Sequence, residues 1–196
     1  MSKLPRSFYA RAAEDVARDL LGKVLVRMFE GHMLRGRIVE TESYTGESDP
    51  GSHAFRGPSP RNRVMFGEAG HLYVYLSYGM HSCMNVVTDS VGVAGAVLIR
   101  ALEPLEGVAA MATLRGGRPF VELCNGPGKL CQAFAITRSQ NGMDLESTEI
   151  WIEDDGWIPL EITCSTRIGL SAGTDLPLRF FLPDNIFVSK GKTSGG

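Results

Sequence analysis

Apolar and polar positions along the chain change period several times, and each change predicts an element. Val16, Ala17, Leu20 and Leu21 recur at helical spacing, which predicts a short helix from Ala12 to Leu21 with Gly22 as its stop. Lys23 to Phe29 is an apolar run of strand length, Glu30-Gly31-His32 is a turn candidate, and Met33 to Tyr44 reads as a second strand beside the first. From Thr45 to Phe66 the pattern is lost in a polar stretch carrying Pro50, Gly51, Gly57, Pro58 and Pro60. Loops of that length are commonly functional or disordered. Two strands follow, Leu72 to Ser77 and Ser82 to Thr88, joined at Tyr78-Gly79, where glycine admits a positive φ. Gly95 to Ala101 reads as a buried strand carrying Arg100 near its end. Pro104 to Leu114 reads as a helix with proline near its start, and Gly126-Pro127-Gly128-Lys129 opens another that runs to Phe134. Ile150 to Ile152, Leu160 to Ile162 and Leu178 to Phe181 are late strands. Strands that follow one another so closely, with few helices between, predict an α+β fold on a largely antiparallel sheet.

Composition sets bounds on this picture. The 196 residues are 43% hydrophobic and 21% charged, enough for one domain with a real core. That domain is expected to span 1–189, with Lys190 to Gly196 as a disordered tail. The net charge of -2 argues against a chain that is basic overall, but the charge is uneven. Between Ser139 and Leu176 eight acids face one base, Arg167, a net of -7 that leaves the remainder at +5. A local phosphate-binding face fits this asymmetry, and so does a solvated acidic surface. Cys83, Cys124, Cys131 and Cys164 form no C-x-x-C pair, so no structural zinc is expected, and four reduced thiols suit a cytosolic or nuclear protein. No long apolar run suggests a membrane segment.

The chemistry concentrates around two strand ends and one turn. Glu42 lies on a strand whose alternation puts Ile38, Glu40, Glu42 and Tyr44 on one face. A carboxylate beside an aromatic ring there suits general-base work, although a salt bridge to a nearby arginine explains it as well. Tyr44, His53 and Tyr75 are flat side chains able to hold a flat ligand, and Tyr73 alternates onto the same side as Tyr75. Taken singly, each is ordinary sheet packing. Tyr78 is harder to explain so, because a large ring at a hairpin tip is exposed, and such a group can wedge between base steps. Arg56, Arg61 and Arg63 place three guanidinium groups within eight residues, and Lys129 opens a helix, all suited to phosphate or to plain solvation. Asn85 can read or reject a base edge, and Arg100, if buried, needs an anion such as Glu42 or a phosphate. A carboxylate at a strand end, flat rings and a protruding turn are what an enzyme needs to take a base out of a DNA stack and cut it off.

Several runs together resemble the alkyladenine (3-methylpurine) DNA glycosylases. They are Ala17-Arg-Asp-Leu-Leu-Gly-Lys, Arg37-Ile-Val-Glu-Thr-Glu-Ser-Tyr, Pro60-Arg-Asn-Arg, Leu72-Tyr-Val-Tyr-Leu-Ser-Tyr-Gly-Met, Leu98-Ile-Arg-Ala-Leu-Glu-Pro-Leu-Glu-Gly and Asn125-Gly-Pro-Gly-Lys-Leu-Cys-Gln-Ala. The resemblance implies a compact curved sheet flanked by helices, with a hairpin that enters the DNA minor groove. It implies a monomer that hydrolyses the N-glycosidic bond of alkylated or deaminated purines in duplex DNA, without metal, cofactor or lyase step, in base excision repair. By the same resemblance Glu42 activates water beside Arg100. Tyr44, His53 and Tyr75 enclose the flipped base, Asn85 screens it, Tyr78 fills the gap, and Met80 and His81 lie on the groove-contacting tip. His81 departs from the aromatic of some family members, and Ser43 and Thr45 from their apolar neighbours. Two rival readings remain. One is a metal-dependent hydrolase on Glu40, Glu42, Asp49 and His53, and the other is a non-catalytic binder of damaged DNA.

Overall fold

The computed structural model describes residues 1–189. In chain order its elements are β1 (Ser2–Lys3), α1 (Arg6–Tyr9), α2 (Ala13–Asp19), β2 (Val24–Phe29), β3 (His32–Tyr44), β4 (Leu72–Ser77), β5 (His81–Val87), β6 (Ala96–Glu106), α3 (Val108–Leu114), α4 (Pro127–Ala133), β7 (Ile150–Asp154), β8 (Thr163–Ser165) and β9 (Arg179–Phe181). The sheet runs β1-β7-β2-β3-β6-β5-β4, with β9 joined to β3 and β8 to β9. Every pairing is antiparallel. The fold is therefore α+β, as the order of elements predicts. The expected tail, 190–196, lies outside the described residues.

The long strand β3 organises the sheet. Its first half pairs with β2, Glu40 to Glu42 pair with β9, and its other edge pairs with β6 from Arg35 to Tyr44. Irregular register at Ile38, Glu40 and Thr41 breaks the simple alternation. Ile38 and Val39 both enter the main hydrophobic core, whereas Glu40, Glu42 and Tyr44 keep period two beyond the break. The core continues into α2 and the residue that caps it, where Val16, Ala17 and Leu20 are fully buried and the Ala17 carbonyl accepts from Thr41 Oγ1 at 2.9 Å.

Two expectations need correction. Pro104 is not in a helix. β6 continues to Glu106, and the helix begins only after Gly107, which has φ +75°. Proline is tolerated because β5 leaves β6 at Leu98, so this end of β6 has only β3 as a neighbour. Leu160 to Ile162 is not a strand. Leu160 lies in the open and the strand is Thr163–Ser165, because only these three residues meet β9. The stretch from Thr45 to Phe66 is ordered, and its order comes from side-chain-to-backbone bonds that leave no periodicity. Buried Asn62 donates to the carbonyls of His53 (2.8 Å) and Gly57 (3.0 Å) and accepts from the Ser59 N–H (2.6 Å).

Six of the eight acids of the acidic stretch are paired with bases. Strand β7 lies beside β2, and its acids meet the bases of the N-terminal part of the chain. Glu153 pairs with Arg35, Asp154 with Lys23 at 2.6 Å, and Asp155 with Arg37 at 2.8 Å. Nearby, Glu149 pairs with Arg27, and Asp144 and Glu146 with Arg6. The charge asymmetry along the sequence is thus largely cancelled in space. Among the described residues, the bases that make no ion pair include Arg56, Arg61, Arg63, Arg115, Lys129 and Arg138.

Candidate active site

Glu42 is wholly buried near the end of β3. Its Oε1 forms a salt bridge with Arg100 Nη1 at 3.2 Å and accepts from the backbone N–H of Ile168 at 2.7 Å, and its Oε2 accepts from the Tyr44 hydroxyl at 2.9 Å. A carboxylate offers about four lone-pair positions, so about one, on Oε2, is left. The salt bridge and the general-base reading of Glu42 thus turn out to be compatible.

Arg100 owes its aim to the sheet. Ala101 is opposite Glu40 and Ile99 opposite Thr41, so Arg100 itself has no partner on β3. This extra residue turns its guanidinium between two carboxylates, with Nε on Glu40 at 2.9 Å and Nη1 on Glu42. Burial alone would lower the pKa of Arg100, but the charges of Glu42 and Glu40 outweigh it and hold the group above its ordinary value.

Tyr44, His53, Tyr75 and Asn85 line a single pocket, and Tyr73 joins them. The rings stand edge to face. His53 and Tyr75 are 4.5 Å apart at 72°, and His53 and Tyr73 are 6.0 Å apart at 86°. A 2.9 Å contact between His53 Nδ1 and the Tyr73 hydroxyl locks the imidazole, and Asn85 Nδ2 donates to the Tyr73 carbonyl at 3.0 Å. Desolvation, and then the charge of Arg61, lower the pKa of His53. Burial pushes the Tyr44 phenol up, and Glu42 adds to the shift. Burial likewise raises Tyr75. At neutral pH the pocket therefore presents uncharged rings.

Sequence reasoning missed what fixes the pocket wall. Arg167 stands 4.7 Å over the Tyr44 ring, and its two terminal nitrogens grip Asp49, with one distance of 2.7 Å, both side chains being fully buried. Gly51 is needed there, because a Cβ would come within 2.7 Å of the Arg167 guanidinium. The signal was present: Arg167 is the lone base in an acidic stretch. Glu40 and Asp49, two ligands of the rival metal reading, are both taken by arginines. Among the described residues no group of three or more His, Cys, Asp or Glu is placed to hold a metal ion.

Beside the pocket, β4 and β5 form a hairpin. Tyr78 and Gly79 both have positive φ (50° and 72°), as a type I′ turn requires. For tyrosine that backbone costs roughly 1–3 kcal/mol. Tyr78 is 90% exposed and Met80 71%, and His81 is exposed next to them. One flank of the hairpin faces a groove containing His81, Arg115 and Lys129, although Lys129 donates to Asn125 at 2.7 Å. The other flank carries Arg61, 5.6 Å from the Tyr75 ring, and Arg138. Arg56 and Arg63 are exposed in the same loop as Arg61.

The model of the methylpurine-DNA glycosylase family matches residues 7–186. The chain belongs to that family. Membership makes it a DNA glycosylase, a hydrolase of N-glycosyl bonds acting on DNA in repair. Its relatives include proteins named "Putative 3-methyladenine DNA glycosylase" from Carboxydothermus hydrogenoformans (53% identity over 95% of this chain and 98% of the relative), Methanocella arvoryzae (50%, 97% of each) and Alkaliphilus oremlandii (44%, 96% and 99%).

Proposed function

We propose that this glycosylase flips alkylated purines of the 3-methyladenine, 7-methylguanine and ethenoadenine type out of duplex DNA and hydrolyses them as a monomer, with Glu42 activating water. The observation that carries this reading is the carboxylate held by Arg100, Tyr44 and Ile168 directly beside a pocket of uncharged rings. The unused lone pair on Oε2 takes the proton of an attacking water, and the carboxylate charge stabilises the cation-like sugar as the bond to the base breaks. Tyr78 occupies the gap left in the duplex, and Arg56, Arg61, Arg63 and Lys129 hold phosphates. Asn85, fixed on Tyr73, screens the base edge.

The pocket also favours a substrate class. Alkylation at N3 or N7 puts positive charge on the purine, which makes it a good leaving group and a partner for ring faces. Hypoxanthine, a deaminated base, is uncharged and needs a proton from the enzyme. The phenols are shifted up and His53 down, so neither supplies one readily near neutral pH. Uncharged lesions, 1,N6-ethenoadenine as well as the deaminated purines, are therefore slower substrates than the cationic ones.

The test is base release from a duplex bearing a single 1,N6-ethenoadenine, with chelator present. The reading requires free base and an abasic site that breaks only under later alkali. Tight lesion binding without release would instead support the non-catalytic binder.

A further inference from the structure

Glu40, two residues before Glu42, is a second buried carboxylate with no exposure. It accepts from Arg100 Nε at 2.9 Å and from Arg179 Nε, the Ser189 hydroxyl and the Ser189 N–H, each at 2.7 Å. Three of those bonds converge on Oε1, and the one from the Ser189 N–H falls on Oε2. Ser189 is held in turn at every polar atom, because Arg100 Nη2 donates to its hydroxyl at 3.2 Å and Arg179 Nη2 to its carbonyl at 3.3 Å. The segment leading to it is anchored as well. The Leu182 N–H donates to the Val39 carbonyl at 3.0 Å, Asn185 Nδ2 donates to Glu103 at 3.1 Å, and Phe187 is in the core.

The cluster contains two carboxylates and two guanidiniums, and the arrangement decides how Arg100 is shared. Arg179 and Ser189 satisfy most of Glu40, and the Ser189 hydroxyl holds the far end of the Arg100 fork. Arg100 Nη1 is then left to face Glu42. Without the hydroxyl, Arg100 keeps its bond to Glu40 and loses the contact that fixes its plane.

We propose that the segment after β9 is a strap whose Ser189 hydroxyl, acting with Glu40, is a positioning group that sets the Arg100 guanidinium against Glu42 for catalysis. This rests on the reading of Glu42 as the base. The other charged or titratable groups that face Glu42 are Tyr44 on its own strand, Tyr75 from β4, Cys83 from β5 and Arg167 from the loop before β9. None of them touches Ser189, so a change at Ser189 reaches Glu42 through Arg100.

The experiment uses the full chain as wild type, Ser189→Ala and Ser189→Thr, with single-turnover excision from an ethenoadenine duplex measured across pH 5–9. Duplex affinity and Tm are measured alongside. With Arg100 no longer held squarely against Glu42, Ser189→Ala shifts the acid limb of the rate profile to higher pH and slows excision about tenfold. Lesion-duplex affinity stays at the wild-type value, and Ser189→Thr restores both rate and profile. A Ser189→Ala protein with the wild-type rate and profile overturns the proposal while leaving Glu42 as the base. So does a rate loss that follows only the loss of folded protein. Absence of excision by wild type itself overturns the reading of Glu42 and the strap with it.

Discussion

Tyr44 donates its phenolic hydrogen to Glu42 Oε2 across 2.9 Å, joining a ring of the pocket wall to the buried carboxylate. The ring and the carboxylate lie two residues apart on one strand, so the period of the sheet alone brings them together. Tyr44→Phe keeps the ring and removes this bond. Excision slows by about tenfold, the cost of one hydrogen bond to a charged group, with little change in lesion affinity. A Phe variant that lost affinity and kept its rate would assign the tyrosine to binding alone.

The Arg167–Asp49 pair is wholly buried and holds the loop that carries His53 against the segment that carries Ile168. Asp49→Ala leaves the Arg167 charge with only backbone carbonyls, from Ser43 and Gly173. Breaking a pair of this kind costs about 3–5 kcal/mol, to be read as a fall in denaturant midpoint. Stability close to wild type would show that water enters and solvates the arginine.

His53 gives the pocket a pH dependence with a definite sign. Its pKa is lowered by desolvation and by Arg61, so the unfolded chain takes up a proton before the folded one does. Stability from this group is complete above the ordinary histidine value of about 6.5 and declines as pH falls from there toward the lowered folded value. The drop in Tm between pH 7.5 and 5.5 is therefore larger in wild type than in His53→Gln. Equal drops would mean that the imidazole is solvated in both states.

The cations near the hairpin make no ion pair within the described chain, which suits them to phosphates. Arg61→Ala should weaken binding to damaged and undamaged duplex alike and flatten the slope of log affinity against log salt by about one. Tyr78→Ala should leave Tm unchanged, because the ring is in solvent, and lower lesion-duplex affinity by about tenfold. An unaltered affinity would remove the wedge from the account.

The sheet was legible in the sequence wherever a strand has one wet face or lies deep in the core. β2 through β6 follow from apolar runs and one Tyr-Gly turn. β1 and α1 are too short to show a period, and Leu160 to Ile162 imitates a strand that lies elsewhere. The pocket tyrosines could be picked out because they sit on strands, whereas His53 lies in the aperiodic loop where no period marks it. The buried ion pairs could not, since Arg100 is aimed by an irregularity in register, and Arg167 reaches Asp49 from more than a hundred residues away. A sequence shows such residues as isolated charges, and only the packing shows what each neutralises.

The central claim is that Glu42 performs hydrolysis and is not merely the partner of Arg100. It is tested most directly by single-turnover excision and lesion-duplex binding, measured in parallel for wild type and Glu42→Gln on one ethenoadenine duplex. Losing a general base costs about 10²–10⁴ in rate, so excision by the variant should fall at least that far while its affinity stays near wild type. A folded Glu42→Gln protein that excises at the wild-type rate would contradict the account.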